Sequence, residues 1–290
     1  MAARTKNNAR VFVSGPSSWN TMVYLDALPE PRPHTIFAEE TVETPGGTSL
    51  GKALNLAALG ATTLLLSPIG PDMRGEQLRS LVRSVGVEDL GATSQVTERH
   101  INLMTRSGER LSIYAATPQG VQVPGKDDLQ REMRASDAVI LDLSDTSSTL
   151  APLAKASGTP IWTDLHDYDG ASSFHEPFVE SADYVFMNAD ALGDPKPLMS
   201  RLIAAGKRLA VCTLGAEGAV GLTQEGGFVH VNAAPTNVVD TNGAGDAFMA
   251  ATLMAILGGA PTRDALEAGA QNAALALQSK HLHASLDALL

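Results

Sequence analysis

Four short runs decide how this chain is read: Ala138-Val139-Ile140-Leu141-Asp142-Leu143, Pro160-Ile161-Trp162-Thr163, Tyr184-Val185-Phe186-Met187 and Leu209-Ala210-Val211-Cys212-Thr213. Each is strand-length and nearly all apolar, and each is separated from the next by a helical interval. A strand that is apolar on both sides is covered on both faces, so the alternation predicts βαβ units around a mostly parallel sheet flanked by helices. Working outward, Gly218–Thr223 with Phe228–Val231 reads as a hairpin, and Gly243–Leu257 and Thr262–Gln278 as two Ala-rich helices. Toward the N-terminus come a strand at Val11–Val13, a helix at Leu50–Leu59, a buried strand at Thr62–Ile69 and a helix at Gly75–Val85. Two β-patterned excursions interrupt this series. His34 to Thr44 alternates and stops at Pro45, and His100 to Ala116 alternates on either side of Ser107-Gly108, a hairpin signal. A small sheet that needs both excursions cannot stand alone. The expectation is therefore an α/β body of residues 10–33, 47–97 and 118–290, with a β lid from residues 34–46 and 98–117.

Composition narrows the class. The chain has 290 residues, 44% of them hydrophobic and 18% charged, enough to bury a large core without a disulfide or metal staple. Its net charge of −11 repels a phosphate backbone and argues against nucleic acid. A lone cysteine, Cys212, mid-strand among apolar neighbours, reads as a buried inert thiol and suits a reducing cytoplasm. Ala247–Leu257, the most apolar stretch, is too short to cross a bilayer, and Arg4, Lys6 and Arg10 are followed by no signal-peptide core. A membrane partner is not expected.

The chemistry concentrates at Asp240-Thr241-Asn242-Gly243-Ala244-Gly245-Asp246, which opens the helix from Ala247. Free backbone N–H groups at a helix N-terminus, with the positive end of its dipole, make an anion site. Asp246 in the first turn would stabilise the helix by the same field, but capping needs only Asn242 and no glycine at both 243 and 245. An anion hole beside a carboxylate suits phosphoryl transfer: N–H groups hold the phosphoryl charge while the carboxylate takes a proton from the attacking hydroxyl. Gly46-Gly47-Thr48-Ser49-Leu50-Gly51-Lys52-Ala53 imitates a P-loop, but Ala53 replaces the hydroxyl residue that binds Mg²⁺. Lys52 then reads as a surface or substrate-facing cation. Asp164-Leu165-His166-Asp167-Tyr168-Asp169 fits no metal spacing and reads as a polar loop, and His281-Leu282-His283 as an exposed helix end.

The seven residues from Asp240 resemble the C-terminal signature of the ribokinase-like, or PfkB, carbohydrate kinases. Gly46-Gly47, Leu59-Gly60, Gly70-Pro71-Asp72-Met73-Arg74-Gly75, Asn188, Thr213-Leu214-Gly215-Ala216-Glu217-Gly218 and Asn272 follow the family's order, so the likeness spans roughly residues 10 to 285. It implies a Rossmann-like body with a β lid, and an ATP-dependent kinase acting on a hydroxymethyl group of a sugar or nucleoside. On that resemblance Asp246 is the general base, and the N–H groups of Gly243, Ala244 and Gly245 cradle the phosphates. Thr213, Gly215 and Gly218 lie near the nucleotide, with Asn272 near adenine. Asp240 matches a position whose backbone helps hold a monovalent cation such as K⁺. The family's lid edges can pair into homodimers.

Several positions depart from the family. Its Asn-x-x-Glu near Mg²⁺ is here Asn188-Ala189-Asp190-Ala191, so either Asp190 substitutes through water or the carboxylate is missing. Ser18 and Asn20 stand where ribokinase has Asn and a sugar-binding Asp, Gly51 where it has a sugar-binding Asn, and Ser144 where it has a Glu. Ser18, Asn20 and Gly51, with Gly46, Gly47 and Asp142, are the candidate substrate positions, Asp142 reading equally well as a solvated strand end. Sugar kinase leads. The alternatives are a nucleoside kinase of the same fold, disfavoured by 4% aromatics, and a non-catalytic sugar- or nucleotide-binding protein.

Overall fold

A computed structural model describes residues 8–105 and 109–288. Its strands are β1 Arg10–Ser14, β2 Ser18–Leu25, β3 Glu40–Gly46, β4 Thr62–Leu66, β5 Glu88–Asp89, β6 Glu98–Thr105, β7 Arg110–Ala116, β8 Ala138–Leu141, β9 Ile161–Asp164, β10 Tyr184–Asn188, β11 Leu209–Thr213, β12 Ala219–Thr223 and β13 Phe228–Val231. The α-helices are α1 Thr48–Ala58, α2 Met73–Ser84, α3 Lys126–Arg134, α4 Asp145–Ser157, α5 Glu176–Ser181, α6 Lys196–Ala204, α7 Ala244–Leu257 and α8 Thr262–Ala276.

Among the described residues the strands form two sheets. The large one has nine strands in the order β13-β12-β11-β10-β9-β8-β1-β4-β5. Every pair from β11 to β5 is parallel, and the β12–β13 hairpin adds an antiparallel edge. Alternate residues along each central strand enter opposite cores, as the two-residue period of a strand requires. Val11, Val13, Ile140, Phe186 and Val211 pack with Leu50, Leu54, Leu78, Phe248, Met249, Leu253 and Leu266 from α1, α2, α7 and α8. Phe12, Val139, Leu141, Val185, Met187 and Cys212 pack with Met133, Leu150, Phe178, Leu198 and Leu202 from α3, α4, α5 and α6. Hence the unbroken apolar runs: both faces are covered. Among the described residues no helix is long and apolar enough to cross a membrane.

The second sheet has the order β3-β2-β6-β7, and this corrects the expected boundaries. Ser18–Leu25, assigned to the body from the sequence, is a central strand of the small sheet, antiparallel to β3 and parallel to β6. Ser18, Trp19, Asn20, Met22 and Leu25 are buried along it. Only Glu40–Gly46 of the first excursion is a strand, and Ile36 and Phe37 are exposed in the connection before it. The Ser107-Gly108 turn lies outside the described residues. Among the described residues, side-chain links fasten the small sheet to the body: Tyr24 Oη donates to Asp240 Oδ2 at 2.8 Å, Thr44 Oγ1 and His281 Nδ1 lie 2.7 Å apart, Lys280 Nζ donates to Glu40 at 2.6 Å, and Arg74 on α2 donates to Glu43 Oε2 at 3.0 Å. His281, expected at an exposed helix end, is thus part of this connection.

Candidate active site

The carboxyl ends of the parallel strands converge on one edge of the sheet, where open α/β folds place their ligands. Asp142 follows β8, Asp164 ends β9, Asn188 ends β10 and Thr213 ends β11. Across that edge stands the first turn of α7. Gly243 caps the helix at φ 79°, a left-handed conformation that bends the chain into the helix without the strain a side chain would bring. The N–H groups of a first turn have no acceptor within the helix. Here that of Ala244 reaches only Thr241 O at 3.5 Å. A side-chain carbon at Gly245 would meet no atom within 4 Å, so the turn opens outward.

Asp246, in the same turn, points the other way. It is buried, and its Oδ1 accepts from Lys52 Nζ at 2.8 Å. Lys52 sits on α1 with 0% exposure and also lies 3.1 Å from Asp142 Oδ1 and 3.4 Å from Asp164 Oδ2. The expected surface or substrate-facing cation is instead the centre of a buried three-carboxylate cluster. Burial alone would strip the ammonium of its proton, but Asp142, Asp246 and Asp164 outweigh it and hold Lys52 charged. Burial raises Asp246 to about 6, and the Lys52 ammonium keeps it from rising further. Asp164 is held below its ordinary value despite burial, by His166 and Lys52. The carboxylate of Asp246 leans over Gly51, where a Cβ would lie 2.4 Å from Oδ2. The bare Cα of Gly51 is therefore what lets α1 and this carboxylate meet.

The other sequence candidates lie at several places around this edge. Ser18, Asn20, Gly46 and Gly47 gather at the junction of the small sheet and α1: Ser18 Oγ donates to Asn20 Oδ1 at 2.8 Å, Gly46 packs on the Asn20 side chain, and Gly47 on the Pro16 carbonyl. Asp142 is not a solvated strand end. It is fully buried, accepts from Ser49 Oγ at 2.7 Å and faces Lys52. Asn188 and Thr213 end β10 and β11, and Asp190, Gly215 and Gly218 lie on the connections after them. There Asn188 Oδ1 accepts from Asp190 N–H at 3.0 Å, Thr213 Oγ1 from nothing but donates weakly to Met187 O at 3.5 Å, and Gly215 faces open space. Asn272 donates through Nδ2 to Asn55 Oδ1 and Ala247 O, both at 2.9 Å, joining α8 to α1 and α7. Asp240 accepts from Tyr24 through Oδ2 and from Asn242 N–H through Oδ1 at 2.7 Å.

Sequence reasoning missed Lys52 and Asp164 in their present role, because a lysine at helical spacing among alanines and leucines looks like any surface lysine. It named Asn20 but missed Thr44 and His100 beside it on the inner face of the small sheet. Asn20, Thr44 and His100 are in register across β2, β3 and β6. His100 accepts or donates at Glu98 over 2.8 Å and lies 4.0 Å, ring to ring, from Tyr114 on β7. Tyr24 and Thr44 contact the body from this face, which fixes its orientation. A cleft of about 560 Å³ continues along it, walled by Tyr24, Glu40, Met104, Val239, Asp240 and Lys280. Cys212 is buried, and burial pushes its thiol up to about 11.

Among the described residues no group of three or more His, Cys, Asp or Glu is arranged to hold a metal ion. The Asp190 carboxylate is exposed on the loop after β10.

Comparison with known proteins agrees with this geometry. The chain is 31% identical over 267 residues to an acarbose 7(IV)-phosphotransferase of Actinoplanes sp. (strain ATCC 31044 / CBS 674.73 / SE50/110), covering 90% of this chain and 89% of that one. A microbiome-derived acarbose kinase superposes with a TM-score of 0.83 at 30% identity, over 94% of each chain. Arabidopsis thaliana ribokinase complexed with ribose and ATP shares the fold, with a TM-score of 0.77 at 21% identity over 95% of each chain. The model of the pfkB family of carbohydrate kinases matches residues 16–289, and the chain belongs to that family.

Proposed function

We propose that this protein transfers the γ-phosphoryl group of ATP to a hydroxymethyl group of a sugar or sugar derivative held between the small sheet and the body. The observation that carries this reading is the position of Asp246. Its carboxylate is buried one residue beyond Gly245, whose surroundings are open, and burial sets it to about 6, so that it is ionised and still a useful base near neutrality. Asp246 takes the proton of the acceptor hydroxyl as that oxygen forms its bond to phosphorus. The bond from phosphorus to the β–γ bridging oxygen breaks, and ADP leaves. The Gly243, Ala244 and Gly245 N–H groups hold the charge on the transferring group without reorganising. Asn188, Thr213, Gly215 and Gly218 would line the nucleotide, and Mg²⁺, with Asp190 as an outer contact, would supply charge neutralisation between the phosphates. Asp240 would offer its backbone to K⁺, since its carboxylate is taken by Tyr24 and Asn242.

The small sheet would act as the lid, with Asn20, His100 and Tyr114 toward the sugar, excluding water so that ATP is not simply hydrolysed. Relatives named for acarbose make that compound, beside monosaccharides and nucleosides, the first acceptors to try. The test is ADP release from MgATP across that panel, with Asp246→Asn as the blank. Acceptor-dependent release that the variant lacks is the expected result; equal release by the variant would remove Asp246 from the mechanism.

A further inference from the structure

Lys52 contacts three carboxylates from three different elements, and that arrangement asks for a purpose. A helix surface lysine can snorkel to water; this one has 0% exposure. Its ammonium bonds Asp246 Oδ1 at 2.8 Å and stands 3.1 Å from Asp142 and 3.4 Å from Asp164. The groups facing Asp246 are thus Lys52 from α1, Asp142 after β8 and Asp164 at the end of β9, with His166 3.9 Å behind Asp164. Asp142 is held in place by Ser49 Oγ, so it cannot turn away. Two neighbouring carboxylates in a buried space push a third toward its neutral acid, which accepts no proton. An ammonium in direct contact reverses that push. It also divides the work of the two oxygens: Oδ1 is taken by Lys52, and Oδ2 rests over the bare Cα of Gly51.

We propose that Lys52 is a positioning residue for the phosphoryl transfer, holding Asp246 ionised against Asp142 and Asp164 and leaving Oδ2 as the oxygen that takes the acceptor proton. This rests on the kinase reading above. Lys52 touches neither substrate nor the reacting atoms; it acts through Asp246.

The test is Lys52→Met, read in two ways. The acid limb of kcat/KM reports the ionisation of the free enzyme's base. In Lys52→Met it moves to higher pH by about one unit or more, because the like charges remain and the ammonium is gone. Adding Asp142→Asn removes one of those charges and brings the limb back toward its original position. A lysine that merely fills space would lower the rate at every pH, leave the limb where it was and gain nothing from Asp142→Asn; that result overturns the proposal. The second readout needs no activity. With the ammonium removed, the carboxyl groups of the cluster hold their protons in the folded state above their unfolded values. Their stability contribution is then complete at low pH and lost as pH rises through the raised values. The gap in Tm between the original protein and Lys52→Met therefore widens from pH 5 to pH 8, and Lys52→Met with Asp142→Asn narrows it. A gap independent of pH counts against the proposal. If no acceptor is phosphorylated by the original protein while the gap widens as described, the kinase reading falls and the ionisation role of Lys52 stands. If Lys52→Met does not fold, the double variant with Asp142→Asn, which loses one charge of each sign, carries both measurements.

Discussion

Two helices meet at this site and present opposite faces to it. The first turn of α7 turns its N–H groups outward, with open space in front of Gly245. The first two turns of α1 turn a cation inward, sealed from water at Lys52. On the proposed reading, one surface receives negative charge that arrives, and the other balances negative charge that never leaves. The difference teaches that a phosphoryl-transfer site has two electrostatic problems. The phosphates need donors that are free, whereas the base needs a partner that is already bound, because two carboxylates are packed against it.

The comparison breaks first at Asp246, the one residue on both surfaces. Asp246→Asn keeps the shape and removes the base, so turnover should fall about 10²- to 10⁴-fold while nucleotide still raises Tm. If turnover holds, the inward-facing half of the site has no catalytic meaning. Gly51→Ala is next. Alanine favours the helix, yet its Cβ would stand 2.4 Å from Oδ2 of a carboxylate that Lys52 holds in place. A base displaced by this much should cost about 100-fold in kcat with the fold intact by circular dichroism. A fully active Gly51→Ala enzyme would mean that the carboxylate moves freely and that α1 does not fix it.

How much of this was legible beforehand follows the same division. The outward surface is local: Gly243 to Asp246 are consecutive, so their chemistry can be read from one stretch of chain. The parallel sheet was legible too, because burial on both faces leaves unbroken apolar runs. The inward surface is assembled from residues 52, 142, 164 and 246 on four elements, and no local period marks it. Lys52 followed by Ala53 and Leu54 carries the pattern of an ordinary amphipathic helix, and only the packing of α1 against α7 turns that position inward. Ser18–Leu25 was misplaced for a related reason: the residues that pair with it, 40–46 and 98–105, are remote in sequence. Asn272 was read from its likeness to a family position, and its amide donates to α1 and α7.

The pH profile sharpens the comparison at smaller cost to activity. Asp246 sits at about 6 because burial outweighs Lys52. As a base it works when ionised, so kcat/KM should rise with pH through about 6 and level off above it. A flat profile from pH 5 to 8 would place the ionisation of the base lower than this cluster allows.

The smallest effect is expected at Tyr24, which belongs to neither helix. Its hydroxyl bonds Asp240 Oδ2 at 2.8 Å and so ties the small sheet to the loop that leads into α7. Burial and the neighbouring Asp240 carboxylate raise the phenol well above its ordinary value, so it stays protonated and remains a donor throughout the working range. Tyr24→Phe keeps the ring beside Lys280 and removes this one hydrogen bond, worth about 0.5–1.5 kcal/mol net. Asp240 still accepts from Asn242 N–H, so the turn before α7 should keep its shape. The loss therefore falls on seating the small sheet rather than on the proton transfer: KM for the acceptor should rise by no more than about tenfold, with kcat and the acid limb unchanged. A fall in kcat like that of Gly51→Ala would show that the small sheet's grip on Asp240 is transmitted to the first turn of α7, and the two surfaces would then have to be treated as one.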